Sequence, residues 1–484
     1  MKLNKLLERV PDVRVFGDIE TDIIDLCTDS RKAKQGSLFF CIPGLHSDAH
    51  DFAPQAVKAG AVALIVERQL EIDVPQVLVK NVRLALSYIA AAFYGYPADR
   101  LKIIGITGTK GKTTTSYMLK HILEAAGCKV GLIGTVCILI GDREIETEKT
   151  TPDPQEFQEI LSEMEASNVD YVVMEVSAHA LDMHRLAGIR FVTAGFTNLS
   201  QDHLDYFGDM QTYLAAKLLI GGMTDELCVN ADDETVCDAL EKTGVNYTRV
   251  GIREKALVYA RNIDIIEGGI EFELYLHRRT NCKVNMSMTG IFNVYNALMA
   301  AALADKAGIS IDDIRKGLES VKSVPGRVEL LDTHTPYNVI LDYAHSPNAL
   351  ENILETLRQN TKKRLISVFG CGGGRDKLKR PIMGEIGTRL SDIAVITSDN
   401  PRNEEPMTII NEIVAGIKDT NAVYTVIENR REAIRYALKT AEAGDVVVLA
   451  GKGHETYQEI NGVKHPFDEK IIVSELLEEL YGID

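Results

Sequence analysis

GITGTKGKTT, residues 105–114, is the stretch on which the reading of the fold turns. It follows KIIGI (102–106), an uninterrupted apolar run of the kind that forms a buried strand, and it leads into TTTSYMLKHILEAA (113–126), a run of helical period that Gly127 is placed to cap. Strand, glycine-rich turn and helix N-terminus in that order cradle phosphate, because backbone N–H groups and the helix dipole both face the anion. In that setting Gly108, Thr109, Lys110, Gly111, Lys112, Thr113 and Thr114 surround a nucleotide's phosphates, with Lys112 reaching the β- and γ-phosphates and Thr113 ligating Mg2+. The loop is a variant of GxxxxGK[ST], since the residue five positions before Gly111 is Ile106.

Outward from this loop, the chain divides in three. Residues 1–98 hold short β-rich runs (GSLFFCIP at 36–43, AVALIVE at 61–67) and a helical stretch ending at Tyr96-Pro97, taken as a boundary. Residues 99–327 alternate apolar runs at 169–176 and 190–197 with helices, then show period-two alternation over 255–288 around Gly268-Gly269, the pattern of a hairpin flap. Residues 328–484 place strands at 337–342, 364–370, 392–398, 421–427 and 445–450, each followed by a helical stretch. That is the pattern of a doubly wound, Rossmann-like domain. The expectation is therefore an α/β protein of three domains, the first small, the second a P-loop ATPase unit.

The formal net charge of -17 and the lack of any Lys/Arg block argue against nucleic acid or an anionic membrane as a partner, since both are polyanions. The N-terminus MKLNKLLERV has no apolar core and no apolar run approaches a membrane span, so a cytoplasmic location is expected. The partners expected are small molecules, and the protein is expected to be a monomer. Eight scattered cysteines without a CxxC pair indicate neither a zinc site nor a disulfide framework.

A P-loop alone serves kinases, switches and motors as well as ligases. GTKGKTT (108–114), EVSAH (175–179), NLSQDHLDY (198–206), AAKLL (215–219), GIFNVYNALMA (290–300), PGR (325–327) and DYAHSP (342–347) together resemble the Mur ligase family, in that family's order. The resemblance implies ATP-dependent ligation through an acyl phosphate. It implies Glu175 and His203 as Mg2+ ligands, alongside Thr113, and Lys217 as a lysine carboxylated by CO2 to a carbamate that holds a second Mg2+. Such a lysine needs a lowered pKa, because only the neutral amine attacks CO2. Lys112, Lys217, Glu175 and His203 thus form the implied catalytic set. Asn293 resembles the family's adenine contact, Arg327 its phosphate-binding arginine, and Asp342 and His345 its ribose- and adenine-side contacts.

The same resemblance extends to the other substrates. Ser30 in TDSR and His46 look like a UDP-sugar pocket. Thr150, Thr151, Ser177 and Arg185 look like contacts to a muramoyl-dipeptide, although Met183 stands where relatives often carry Gln. Asp399-Asn400-Pro401-Arg402, with Arg375, Gly451 and Glu455, resembles a diaminopimelate pocket. Diaminopimelate differs from lysine by one carboxylate, which a guanidinium fork binds bidentately, and Glu455 would face an ammonium group. The implied reaction adds diaminopimelate to UDP-N-acetylmuramoyl-L-alanyl-D-glutamate in assembly of the cell-wall peptide. Addition of L-lysine, a folate polyglutamate-type ligation, and a nucleotide switch that ligates nothing remain as alternatives. The switch leaves Lys217 and DNPR unexplained, and no NKxD guanine motif is present.

Overall fold

The computed structural model describes residues 1–482 except 45–46, 142, 148, 253–255, 267–268, 278–279 and 419–420. Three sheets organise the chain. The first has five strands in the order Arg14–Phe16, Gln76–Leu78, Ala61–Val66, Ser37–Phe40, Asp25–Cys27, all parallel apart from the antiparallel first pair. Helix Val82–Phe93 closes one face with Val82, Ala85, Leu86 and Ile89, and it starts where the Asn81 side chain accepts the Leu84 N–H at 3.0 Å.

The second sheet has eleven strands. Its functional centre is Lys102–Thr107, flanked in parallel by Tyr171–Glu175 and Thr193–Phe196. The connection leaving Lys102–Thr107 runs to one side, to Val130–Ile133, and the connection leaving its neighbour Thr193–Phe196 runs to the other, to Leu227–Asn230, so the carboxyl ends of these two adjacent strands form a topological switch point, where open α/β sheets bind ligands. Helices Lys112–Ala125, Ile291–Lys306 and Ile311–Ser320 cover one face, and Pro154–Ala166 packs on the other. Strands Val258–Ile266, Gly269–Leu276 and Thr280–Met286 form a three-stranded antiparallel run. The expected hairpin is thus one strand short. The run is also no separate flap, because Val258 and Tyr259 pair in parallel with Val250 and Gly251 and extend the same sheet. Of the expected Gly268-Gly269 turn, Gly268 lies outside the described residues.

The third sheet has the order Glu329–Leu331, Asn338–Asp342, Val446–Ala450, Leu365–Phe369, Ile393–Ile396, Tyr424–Val426. Its last five strands are parallel. Helices Pro347–Asn360, Lys379–Leu390 and Pro406–Val414 pack on one face, Arg430–Thr440 and Glu469–Tyr481 on the other, which makes it doubly wound. Two features depart from the expected strand–helix alternation: the antiparallel edge strand Glu329–Leu331, and a hairpin, Tyr457–Ile460 with Val463–Pro466, between the last parallel strand and the last helix. The hairpin turns at Asn461-Gly462, both at positive φ (50° and 75°), the two-residue turn that Asn-Gly favours. Among the described residues no helix is long and apolar enough to cross a membrane, and all eight cysteines are free.

Candidate active site

The phosphate loop owes its shape to two glycines. Gly108 has φ +136°, and a Cβ there would lie 2.0 Å from Thr197 Oγ1; Gly111 has φ +83°, and a Cβ would meet Asn296 Oδ1 at 2.3 Å. The loop is tied to the next strand's exit, with Thr109 N–H donating to the Asn198 carbonyl and Lys110 N–H to Asn198 Oδ1. Lys112 opens the helix and its ammonium donates to the Gly108 and Thr109 carbonyls at 2.9 and 3.0 Å. Removal from water lowers its pKa to about 8, against which Glu175 acts only partly.

Above the loop lies a cavity of about 450 Å³ lined from the second and third domains. Glu175, at the end of its strand and 1% exposed, accepts the Thr113 hydroxyl at 3.1 Å, the Thr135 N–H at 2.9 Å and the Thr135 hydroxyl at 2.9 Å. Across the cavity His203 sits at φ +55° with its ring edge-on to His179, 4.9 Å between centroids. Burial lowers its pKa to about 4, so the neutral ring keeps a lone pair. Beside it Asp202 pairs with Lys110 at 3.1 Å.

Lys217 does not line this cavity. It lies behind the loop, 1% exposed, with Nζ donating to the Gly108 carbonyl at 2.8 Å and standing 4.7 Å from the Tyr213 ring centre. Burial, then the nearby Lys112 ammonium, push it well below the ordinary lysine range. Among the described residues no three of His, Cys, Asp and Glu converge as a metal cluster. A buried carboxylate with a hydroxyl beside a phosphate loop nevertheless fits Mg2+, which keeps several waters and takes one or two carboxylates plus substrate phosphate oxygens.

The third domain closes the cavity through its hinge. Arg327 donates to Thr113 Oγ1 at 3.3 Å and stacks 4.7 Å from the Tyr343 ring centre, with its Nε buried and unpartnered. Asp342 spends its oxygens on the Val328 and Ala344 N–H groups, both at 2.9 Å, so it holds the hinge turn. Burial raises its pKa. The His345 ring N–H donates to the Tyr343 carbonyl at 2.8 Å, and burial lowers that imidazole to about 3. Asn293 lines the cavity but is already engaged, donating to the Thr289 carbonyl at 2.7 Å and accepting from Asn296 at 3.1 Å.

A second cavity, about 360 Å³, opens at the carboxyl ends of the third sheet. It gathers Arg375, Asp399, Asn400, Arg402, Gly451 and Glu455; Pro401 is buried and does not line it. Asn400 Nδ2 donates to Glu455 at 2.8 Å. Lys452 and Arg430 outweigh burial and hold Asp399 below the usual carboxylate range, whereas burial and Asp399 raise Glu455. Arg402 occupies φ +52°, and its guanidinium is not a free fork, since Nε donates to Glu459 at 3.0 Å and Nη1 to the Gly373 carbonyl at 2.9 Å. Arg375 points across to Asp205 of the second domain at 3.9 Å.

The first domain meets the second at a third cavity, about 340 Å³, which Arg185 and Met183 line. Arg185 donates to the Thr151 carbonyl at 2.9 Å and touches the Met183 sulfur at 3.5 Å. The Thr151 hydroxyl bridges the Glu175 carbonyl and the Ser177 N–H, while Thr150 lines the phosphate-loop cavity with its hydroxyl 3.0 Å from that of Thr135. Ser30 lines none of these cavities and donates to Gln55 at 3.4 Å; Asp29 beside it accepts the Arg31 N–H, an Asx turn. His46 lies outside the described residues.

Comparison with known proteins follows the same three-part division. Three family models match: Mur ligase family, catalytic domain, over 23–94; Mur ligase middle domain over 106–304; and Mur ligase, glutamate ligase domain, over 326–453. The chain belongs to the Mur ligase family. Among this Mur ligase's curated relatives is UDP-N-acetylmuramoyl-L-alanyl-D-glutamate--2,6-diaminopimelate ligase 1 of Clostridium acetobutylicum, 47% identical over 99% of this chain and 100% of the relative. The ligase of the same name from Geobacillus thermodenitrificans is 43% identical over 99% and 100%. A solved structure of such a diaminopimelate ligase superimposes with a TM-score of 0.70 at 29% identity, over 99% of both chains.

Sequence reasoning missed three residues of this Mur ligase. Lys452, fully buried, donates to Asn400 Oδ1 at 3.0 Å and to Glu455 at 3.3 Å, and so holds two residues of the second cavity together. Its place inside GKGHE was a readable signal. Arg430 and Glu469, paired at 2.7 Å with both side chains fully buried, brace the sheet below Gly451 and carry no local motif.

Proposed function

We propose that this protein is an ATP-dependent, ADP-forming ligase that joins meso-2,6-diaminopimelate to the D-glutamate γ-carboxylate of UDP-N-acetylmuramoyl-L-alanyl-D-glutamate, acting as a cytosolic monomer in peptidoglycan precursor synthesis. One observation carries it: Asp202, His203, Tyr343 and His345 line both the phosphate-loop cavity and the second cavity. An acyl phosphate made in one is then next to an amine held in the other. The names of the full-length relatives support the same reading.

ATP lies along Gly108–Thr114, with Asn293 and His345 on the adenine side, Asp342 on the ribose side and Arg327 on the phosphates. Ser30 and His46 of the first domain read the UDP-sugar, and Thr150, Thr151, Ser177 and Arg185 the muramoyl-dipeptide. Its γ-carboxylate oxygen attacks the γ-phosphorus, the bond to ADP breaks, and Lys112 and Arg327 offset the growing charge. Mg2+ held by Thr113 and Glu175, and a second ion by His203 and a carboxylated Lys217, would screen the phosphates and polarise the γ-phosphoryl group. Lys217 must first exchange its bond to Gly108 for the carbamate. In the second cavity Arg375, Asn400 and Arg402 hold the distal carboxylate, Asp399 and Glu455 the distal ammonium, and Gly451 the backbone contact. The reacting amine attacks as the free base and phosphate leaves from a tetrahedral intermediate. The domains that divide this labour are placed at 1–98, 99–327 and 328–484, with Arg327 at the second boundary.

The test is phosphate release coupled to mass detection of a new amide, with the UDP-muramoyl-dipeptide, ATP and either diaminopimelate or lysine. Amide formation with diaminopimelate is expected. ATP turnover without any amide would overturn the assignment, and equal rates with lysine would overturn the specificity.

A further inference from the structure

The sequence around DNPR explains why a guanidinium should meet the amino acid, but not why a carboxylate of the protein already holds it. Arg402 is gripped by the hairpin strand Tyr457–Ile460 on both backbone and side chain. Its N–H donates to the Glu459 carbonyl at 3.0 Å, its carbonyl accepts the Asn461 N–H at 2.7 Å, and its Nε donates to Glu459 Oε2 at 3.0 Å. The turn is pinned further, since Asn400 Oδ1 accepts the Glu459 N–H at 2.9 Å and Gln458 donates to the Asp399 carbonyl at 2.6 Å. Arg402 lines the second cavity; Glu459 does not, so it holds the guanidinium from behind.

We propose that Glu459 is a positioning residue that orients Arg402 and, by balancing its charge, sets how strictly the second cavity demands a carboxylate on the amino acid. Two effects oppose each other. The hydrogen bond fixes the plane of the fork, which favours diaminopimelate. The negative charge partly neutralises Arg402, and this lowers its attraction for the substrate's carboxylate and leaves Arg402 paired when lysine, which lacks that group, is bound. Glutamine separates the two, because its amide oxygen still accepts from Nε while the charge is gone. Nothing else in the pocket changes sign, and the backbone contacts that hold the turn do not involve the side chain.

The inference rests on the proposed function, and steady-state kinetics with diaminopimelate and lysine for wild type, Glu459→Gln, Glu459→Asp and Glu459→Ala tests it. Glu459→Gln should raise the ratio of kcat/KM for diaminopimelate over lysine roughly tenfold, mostly through a lower KM for diaminopimelate. Glu459→Asp should stay near wild type, and Glu459→Ala, which loses the orienting bond, should have a higher KM for diaminopimelate than Glu459→Gln. A ratio in Glu459→Gln equal to or below wild type, with wild type ligating diaminopimelate, overturns the role of Glu459 alone. A wild type that forms no amide overturns the proposed function and this inference with it.

Discussion

Lys112 shows how a single side chain reports on its site. Its pKa of about 8 means that the free protein loses this proton well before an ordinary lysine would. Nucleotide phosphates favour the ammonium and raise the pKa, so at pH values between about 8 and the usual lysine range, binding of an ATP analogue should take up protons. Calorimetry in two buffers of different ionisation heat measures this; proton release, or uptake that survives in Lys112→Met, would contradict it. Arg402→Ala should cut discrimination for diaminopimelate over lysine by about 30-fold, near 2 kcal/mol, the low end for an unpaired buried arginine because Glu459 already satisfies part of its charge. Competition assays with both amino acids decide it. Lys217→Ala, which removes the carbamate ligand, should lose roughly 100-fold or more in kcat, and full activity would remove Lys217 from the mechanism.

At the scale of elements, the third sheet stands on a buried ion pair. Arg430 at the start of one helix and Glu469 at the start of another meet at 2.7 Å with no exposed side-chain surface, and Arg430 also donates to the carbonyl of Ala450, the last residue of the strand that leads into Gly451. Breaking such a pair from one side strands a charge. Arg430→Met should therefore cost about 3–5 kcal/mol, while Arg430→Met with Glu469→Leu should recover much of it. Thermal and denaturant unfolding of the two variants give the comparison; equal loss in both would mean that the pair is not what braces the helices. The phosphate loop is the other element under constraint. With a Cβ 2.0 Å from Thr197 Oγ1, Gly108→Ala forces the loop off the Asn198 strand exit, and nucleotide affinity should fall by about tenfold or more.

Across the whole molecule, Arg375 of the third domain reaches Asp205 of the second at 3.9 Å, and Arg327, the last residue of the second domain, donates to Thr113 beside the phosphate loop. Polar contacts between domains yield readily, so ligands that add phosphate to Arg327 should draw the domains together. X-ray scattering should show a smaller radius of gyration with an ATP analogue and the UDP-muramoyl-dipeptide than without; identical curves would rule closure out. The larger plan was legible in the sequence. Apolar strands such as 102–106 and 445–450 and the loop GTKGKTT act through local chemistry, namely strand burial, helix period and glycine turns. Asn461-Gly462 was equally local and marked a hairpin that the alternating strand–helix pattern obscured. What only the tertiary structure decided is pairing at a distance: Arg402 with Glu459, Arg430 with Glu469, Lys217 with the Gly108 carbonyl, and the common wall of two cavities. A charge or a cavity takes its meaning from what faces it, and for groups dozens of residues apart, folding alone brings the two sides together.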